Sequence, residues 1–90
     1  MISSIINNVG IISMDAKIAF GIVLKKVRKE KKVSQEQLAL KANIERAHIS
    51  KLERGLFQPS LSTIFAIATV LECRAGMLVD MAAEELAKHE

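Results

Sequence analysis

At 90 residues the chain is sized for one small domain, and its single cysteine, Cys73, excludes an internal disulfide that could support it. Half of the residues are apolar but only three are aromatic, which favours an all-α domain over one built from strands. The formal charge of +3 is unevenly spread, because residues 15–54 carry a net charge of +6 and residues 55–90 a net charge of −3. Such asymmetry points to a polyanion bound by the first half, although a solvated helix face accounts for many charge runs of this kind.

Residues 1–14 form an uncharged arm that is expected to precede a domain of residues 15–90. Six Ile and Val residues favour extended structure, and Asn7, Asn8 and Gly10 suit a turn, so an ordered interface segment and a disordered arm both stay open. The arm has no basic start and no run of about 18 apolar residues, so we expect neither a signal peptide nor a membrane span. The lone cysteine adds no argument for secretion, and the cytoplasm is the expected compartment.

Two helices are predicted in the basic part of the chain. Asp15 is suited to cap the first, over residues 15–30. Its buried stripe has apolar residues at spacings of four and three, namely Phe20, Leu24 and Val27. Ser34 and Gln37 form a capping-box pattern that begins the second helix, which runs through about residue 42.

Three further helices follow. The third is predicted over residues 45–54 and ends at Gly55, a residue that readily adopts left-handed backbone geometry. Pro59 prevents continuation and Ser60 caps the fourth helix. The apolar stripe of that helix consists of Leu61, Ile64, Ile67, Ala68 and Leu71. The fifth helix is predicted over residues 75–86.

The third predicted helix has two chemically different sides when its residues are placed at about 100° intervals. Ile49 and Leu52 point inward. The outward side carries only small, hydroxyl or cationic residues, namely Arg46, Ala47, Ser50, Lys51 and Arg54. Glu45 and Glu53 fall outside it, so no carboxylate opposes an approaching phosphate. Arg and Lys suit guanine acceptors, Ser several bases and Ala the thymine methyl, so this side is suited to DNA base edges, with an ordinary solvated face as the alternative.

The second and third predicted helices have the length and spacing of a helix-turn-helix over residues 35–54. The segments "FGIVLKKVRKEKKVSQEQLA", "ISKLERG" and "PSLSTIFAIATVL" occur in the order and spacing typical of the Cro and phage-repressor (XRE) family, which the chain resembles over about residues 20–79. The resemblance implies a compact five-helix, lambda-repressor-like domain with a helix-turn-helix, binding double-stranded DNA.

The resemblance also implies roles for particular residues. Residues expected to face DNA bases are Arg46, Ala47, Ser50 and Lys51. Residues expected near DNA phosphates are Ser34, Gln35, His48, Arg54 and the "GLFQPS" loop with Phe57 and Gln58. Gln35 is also expected to brace the recognition helix, and Arg28 is expected to form a structural ion pair with Glu53.

Three positions depart from the family pattern. Gly is usual at Asn43, where Asn tolerates left-handed geometry well enough for the turn to survive. Gly is also common at Lys32, and because Lys rarely adopts a positive φ, that loop is expected to take another path. Glu45 replaces the usual Ser or Thr cap; it caps poorly but suits the positive end of the helix.

The acidic second half supplies more apolar residues than the predicted core accommodates, namely Phe65, Val70, Met77, Val79 and Met81. The family commonly pairs through this region, so helices four and five are expected to form a homodimer interface; the alternative is that helix five folds back and buries these residues.

The expected function is a sequence-specific transcriptional regulator that acts as a dimer on a near-palindromic operator. An antitoxin-type protein-binding module with secondary DNA binding and a restriction-modification controller stay open, so a protein partner is also left open. His48, Cys73 and His89 lack metal-ligand spacing, and no nucleophile arrangement or phosphate-binding loop occurs, so no metal, cofactor or enzyme activity is expected.

Overall fold

The computed structural model describes residues 14–89, which form five helices and no strand. These are α1 (Ala16–Glu30), α2 (Gln35–Ala42), α3 (Arg46–Glu53), α4 (Leu61–Val70) and α5 (Ala75–Ala87). The predicted boundaries agree within one residue, and the all-α prediction is confirmed. The predicted arm lies outside the described residues, apart from Met14.

Two of the three predicted capping residues make a side-chain hydrogen bond to the start of their helix. Ser34 Oγ accepts from the Gln37 backbone N–H at 3.0 Å while Gln37 Oε1 accepts from the Ser34 N–H at 2.9 Å, so the capping box is complete. Ser60 Oγ accepts from the Thr63 N–H at 3.0 Å. The expectation for Asp15 is wrong: it occupies the cap position, but its carboxylate accepts from Lys17 Nζ at 2.8 Å instead of from the helix backbone.

Helices α1 to α4 all end with the same backbone closure. A residue with positive φ follows each helix, and the N–H of the next residue donates to a carbonyl five positions earlier, the pattern of a Schellman motif. The four left-handed residues are Lys32 (φ 60°), Asn43 (59°), Gly55 (74°) and Glu72 (55°). Asn43 and Gly55 behave as predicted. The expectation for Lys32 is wrong, since the Val33 N–H still donates to the Arg28 carbonyl at 3.1 Å and the loop keeps the left-handed path.

The main helix contacts form a closed ring in the order α1, α3, α2, α4, α5 and back to α1. The largest fully buried side chains meet at its centre, namely Leu24, Leu38, Ile49, Leu52, Ile67, Leu71 and Leu78. Leu61 was predicted to be buried but is 64% exposed at the start of α4. Helix α5 folds back along α1, as the alternative expected, and Val70 and Met81 pack against the core. Phe65, Met77 and Val79 stay exposed.

Gly21 sets the distance between α1 and α3. A Cβ at this position would overlap the backbone carbonyl oxygens of Leu52 and Glu53, so only glycine lets the two helices approach this closely. The end of α3 is therefore held rigidly against α1, which fixes the orientation of its outer side.

Candidate nucleic-acid interface

The outer side of α3 has the composition expected from the sequence. Ile49 and Leu52 are fully buried on the inner side. The residues predicted to face outward are exposed, apart from a half-buried Ser50; they are Arg46, Ala47, Lys51 and Arg54. We call Arg46, Ala47, Ser50 and Lys51 the reading face. Whether these residues contact bases stays a prediction.

The carboxylate of Glu53 is turned away from the reading face and neutralised. Arg28 Nε donates to Glu53 Oε2 at 2.5 Å and Arg28 Nη2 donates to Oε1 at 3.0 Å, with both side chains almost fully buried. This bidentate geometry suits a guanidinium and a carboxylate. The structural ion pair implied by the resemblance is therefore present, and it removes the negative charge at the end of α3 from the outer surface.

Gln35 connects α2 to the same ion pair. Its Nε2 donates to Glu53 Oε1 at 2.9 Å, while Arg28 Nη1 donates to the Val33 carbonyl at 2.9 Å. The network joins α1, the loop before α2, and the first turn of α2 to the last turn of α3. Among the described residues, every buried side-chain polar atom has a hydrogen-bond partner. The bracing role of Gln35 is thus visible, and its phosphate contact stays a prediction.

The other predicted phosphate-contacting residues lie at the ends of α2 and α3 and in the loop before α4, apart from the half-buried His48 within α3. Ser34 caps α2, Arg54 follows α3, and Phe57 and Gln58 lie exposed in the loop before α4. Backbone N–H groups at a helix start favour anions, which is the reason such positions suit phosphate. One exposed carboxylate in this region was missed: Glu36 lies in the first turn of α2.

Phe57 makes the side-chain contact that sequence reasoning did not find. Its ring centroid lies 5.5 Å from that of His48, at an interplanar angle of 36°, and 5.4 Å from Lys51 Nζ. Phe57 was predicted only as part of a phosphate-contacting loop. The missed signal is an aromatic residue two positions after Gly55, whose closure turns the chain back beside α3.

Three further features of residues 14–89 concern metal ligands, the reactivity of the thiol and membrane-spanning helices. No three His, Cys, Asp or Glu side chains there converge to hold a metal ion. Cys73 is half-buried beside the core, and burial raises the pKa of its thiol while Lys31 partly opposes the shift, so the thiol is protonated at neutral pH. No single described helix is long and apolar enough to cross a membrane; α4 and α5 meet those criteria only together, as a pair bent by 110°.

Two helices joined by a left-handed turn, with a carboxylate-free outer side on the second, define a helix-turn-helix DNA-binding domain. A family model described as "Helix-turn-helix" matches residues 24–78, more than half of the chain. The chain belongs to the XRE-type helix-turn-helix family of transcriptional regulators.

Known relatives agree with this assignment. The immunity repressor protein of Bacillus phage phi105 is 43% identical over 56 residues, covering 62% of this chain and 39% of the repressor. The chain thus spans about two fifths of the length of that relative. The structure of the clp gene regulator ClgR from Corynebacterium glutamicum matches with a TM-score of 0.81, covering 84% of this chain and 81% of ClgR; its 24% identity supports the fold alone.

A second similar structure includes DNA. It contains the restriction-modification controller protein C.Esp1396I as a tetramer in complex with its natural 35 base-pair operator. The match has a TM-score of 0.73 and 30% identity, and covers 82% of this chain and 97% of that protein.

Proposed function

We propose that the protein is a sequence-specific regulator that places α3 in the major groove of operator DNA. The observation that carries the proposal is the reading face itself. Its two cations are exposed, while the carboxylate of Glu53 in the same helix is buried against Arg28. A side free of carboxylates meets little repulsion from the phosphates that line the groove.

The reading face offers a mixture of contacts to base edges. Arg46 and Lys51 are suited to the O6 and N7 acceptors of guanine, Ser50 to donors or acceptors on several bases, and Ala47 to the thymine methyl. Arg46 is the first residue of α3, and the start of a recognition helix is the part that enters the groove. We therefore expect Arg46 to carry the largest single share of base discrimination.

Contacts to phosphate are proposed for the two ends of the motif. Ser34 and Gln35 lie at the start of α2, where the backbone N–H groups and the helix dipole favour an anion. His48, Arg54, Phe57 and Gln58 are proposed to lie along the second phosphate track. These contacts fix the register of the protein on DNA and carry little sequence information.

We also propose that the protein acts as a homodimer in the cytoplasm. Phe65, Met77 and Val79 on α4 and α5 are 53%, 37% and 47% exposed, although α5 already packs on α1. A two-fold interface through these residues would place two recognition helices about 34 Å apart and require a near-palindromic operator. The oligomeric, operator-bound form of the similar C.Esp1396I supports this arrangement.

Selection of bound sequences from random duplex DNA, followed by salt titration of the selected duplex, tests the proposal. We expect a near-palindrome with half-site centres about 10 base pairs apart, bound at least about 1,000-fold more tightly than random DNA. Binding without sequence preference that disappears near physiological salt would contradict it.

The likeness to C.Esp1396I also favours a narrower role as a restriction-modification controller. In that case the selected operator should occur upstream of the protein's own gene, next to reading frames for an endonuclease and a methyltransferase. A neighbouring toxin gene, with the exposed residues of α4 and α5 protected by the toxin, would instead favour the antitoxin-type alternative.

A further inference from the structure

We infer that Phe57 is a positioning residue for the reading face, holding the ammonium group of Lys51 so that it contributes to base discrimination. This inference rests on the proposed role of Lys51 in reading bases. It goes further by assigning specificity to a side chain that lies outside the recognition helix and was predicted only to lie near phosphate.

The backbone after α3 brings Phe57 beside that helix. Gly55 adopts a φ of 74°, its N–H donates to the Leu52 carbonyl at 3.0 Å, and the Leu56 N–H donates to the Lys51 carbonyl at 3.0 Å. These bonds reverse the chain over the last turn of α3. The closure therefore fixes the position of the Phe57 backbone relative to Lys51.

His48 supports the ring from a second point. His48 and Lys51 are three residues apart on α3, so their side chains are neighbours on the helix surface. The Phe57 ring contacts both, at 5.5 Å to the His48 ring centroid and 5.4 Å to Lys51 Nζ. The half-buried His48 limits the orientations of the ring, which keeps the contact with Lys51 available.

The contact with the ring compensates for the flexibility of Lys51. A lysine has four rotatable bonds, and ordering its side chain on DNA opposes binding. An ammonium within about 6 Å of an aromatic centroid is attracted by the negative face of the ring. Such an attraction at an exposed site corresponds to about a two- to fivefold effect on an equilibrium.

The test compares Phe57→Leu, Lys51→Ala and the double variant. The leucine keeps an apolar side chain but removes the ring, and Phe57 is 42% exposed, so folding is expected to be retained. Binding constants are measured on the selected operator and on duplexes altered at each base pair. Lys51→Ala first identifies the base pair that Lys51 reads, as the position where discrimination is lost.

We expect Phe57→Leu to reduce discrimination at that base pair, taken as the ratio of the binding constants for the operator and the altered duplex, about two- to fivefold. In the double variant, Phe57→Leu should reduce discrimination no further than Lys51→Ala does alone. Phe57→Tyr keeps an aromatic ring and is expected to keep the discrimination of the unaltered protein. Ile22→Ala is the control, because Ile22 has a similar exposure of 40% but lies on α1, away from the reading face.

In the free protein, the ε-methylene protons of Lys51 should be shielded by the ring and lose that shielding in Phe57→Leu.

Two results would overturn the inference. In the first, Lys51→Ala removes discrimination at one base pair but Phe57→Leu does not, which leaves the proposed function intact and removes Phe57 from it. In the second, Lys51→Ala leaves every base preference unchanged, so the proposed reading role of Lys51 is wrong and the inference fails with it.

Discussion

Helices α1 to α3 and helices α4 to α5 expose different chemistry around one shared core. The first group exposes cations and buries a carboxylate: Glu53 pairs with Arg28 while Arg46 and Lys51 face solvent. The second group exposes four large apolar side chains, namely Leu61, Phe65, Met77 and Val79, against three in the first group, namely Ile18, Ile22 and Leu40. Exposed cations suit a polyanion, and exposed apolar side chains suit a protein surface.

Burial has a different consequence in each group of helices. In α3, burying Glu53 improves the outer surface for DNA at the cost of desolvating a charge, which the bidentate pair and Gln35 offset. In α4 and α5, apolar residues beyond those needed by the core stay accessible. Each region can therefore be altered separately by substitution.

The largest effect is expected from Arg28→Met. Removing the guanidinium leaves the buried Glu53 carboxylate without its charged partner, so the free energy of unfolding should fall by about 3 kcal/mol, measured by urea denaturation. Lys17→Met, which removes the exposed pair between Lys17 and Asp15, should change it by less than about 1 kcal/mol. Similar losses in the two variants would contradict the stabilising role of burial.

Arg46→Ala should weaken operator binding by about 1 to 3 kcal/mol and relax the preference at one base position, because the proposed contact to a base edge is lost. Lys25→Ala, on the exposed side of α1, should show little base preference in its effect. Parallel titrations with operator and random duplexes distinguish the two. Equal losses on both duplexes for Arg46→Ala would remove it from the reading face.

Phe65→Asp should weaken dimerisation at least about tenfold, since a carboxylate would be buried against apolar groups of the second copy. Sedimentation at several concentrations measures this. Leu40→Asp is the matched control in the basic group: Leu40 is 82% exposed on α2 and lies outside the proposed interface. A dimer unaffected by Phe65→Asp would place the interface elsewhere.

The smallest effect is expected from Lys32→Gly, which should stabilise the domain by about 0.5 to 1 kcal/mol. Lys32 has a φ of 60°, a conformation that glycine adopts without the steric strain caused by a Cβ. Thermal unfolding measures the change, with Lys31→Gly as the control. Lys31 precedes the strained position and has a φ of −84°, so glycine there should not stabilise.

Local sequence signals predicted the helices well because their caps depend on adjacent residues. Ser34, Gln37 and Ser60 form the bonds that their spacing indicated. The left-handed geometry of Lys32 and Glu72 was not predicted, since residues with a Cβ rarely adopt a positive φ. Leu61 likewise has the spacing of a core residue, but it lies too near the start of α4 to reach the centre.

For the candidate site, the helical wheel predicted which side of α3 faces outward, and the resemblance supplied the pair between Arg28 and Glu53. The sequence did not predict the close approach of α1 to α3 at Gly21. It also did not predict the contact between Lys51 and Phe57. Both depend on how the backbone brings separate segments together, which no periodicity in a single segment encodes.

The central claim is that the reading face of α3 meets DNA. It is tested most directly by recording backbone amide chemical shifts of the isotope-labelled protein during titration with a mixed-sequence duplex at low salt. We expect the largest changes to cluster at the starts of α2 and α3 and in the loop after α3, with small changes in α5. Changes concentrated in α4 and α5, with the reading face unaffected, would contradict it.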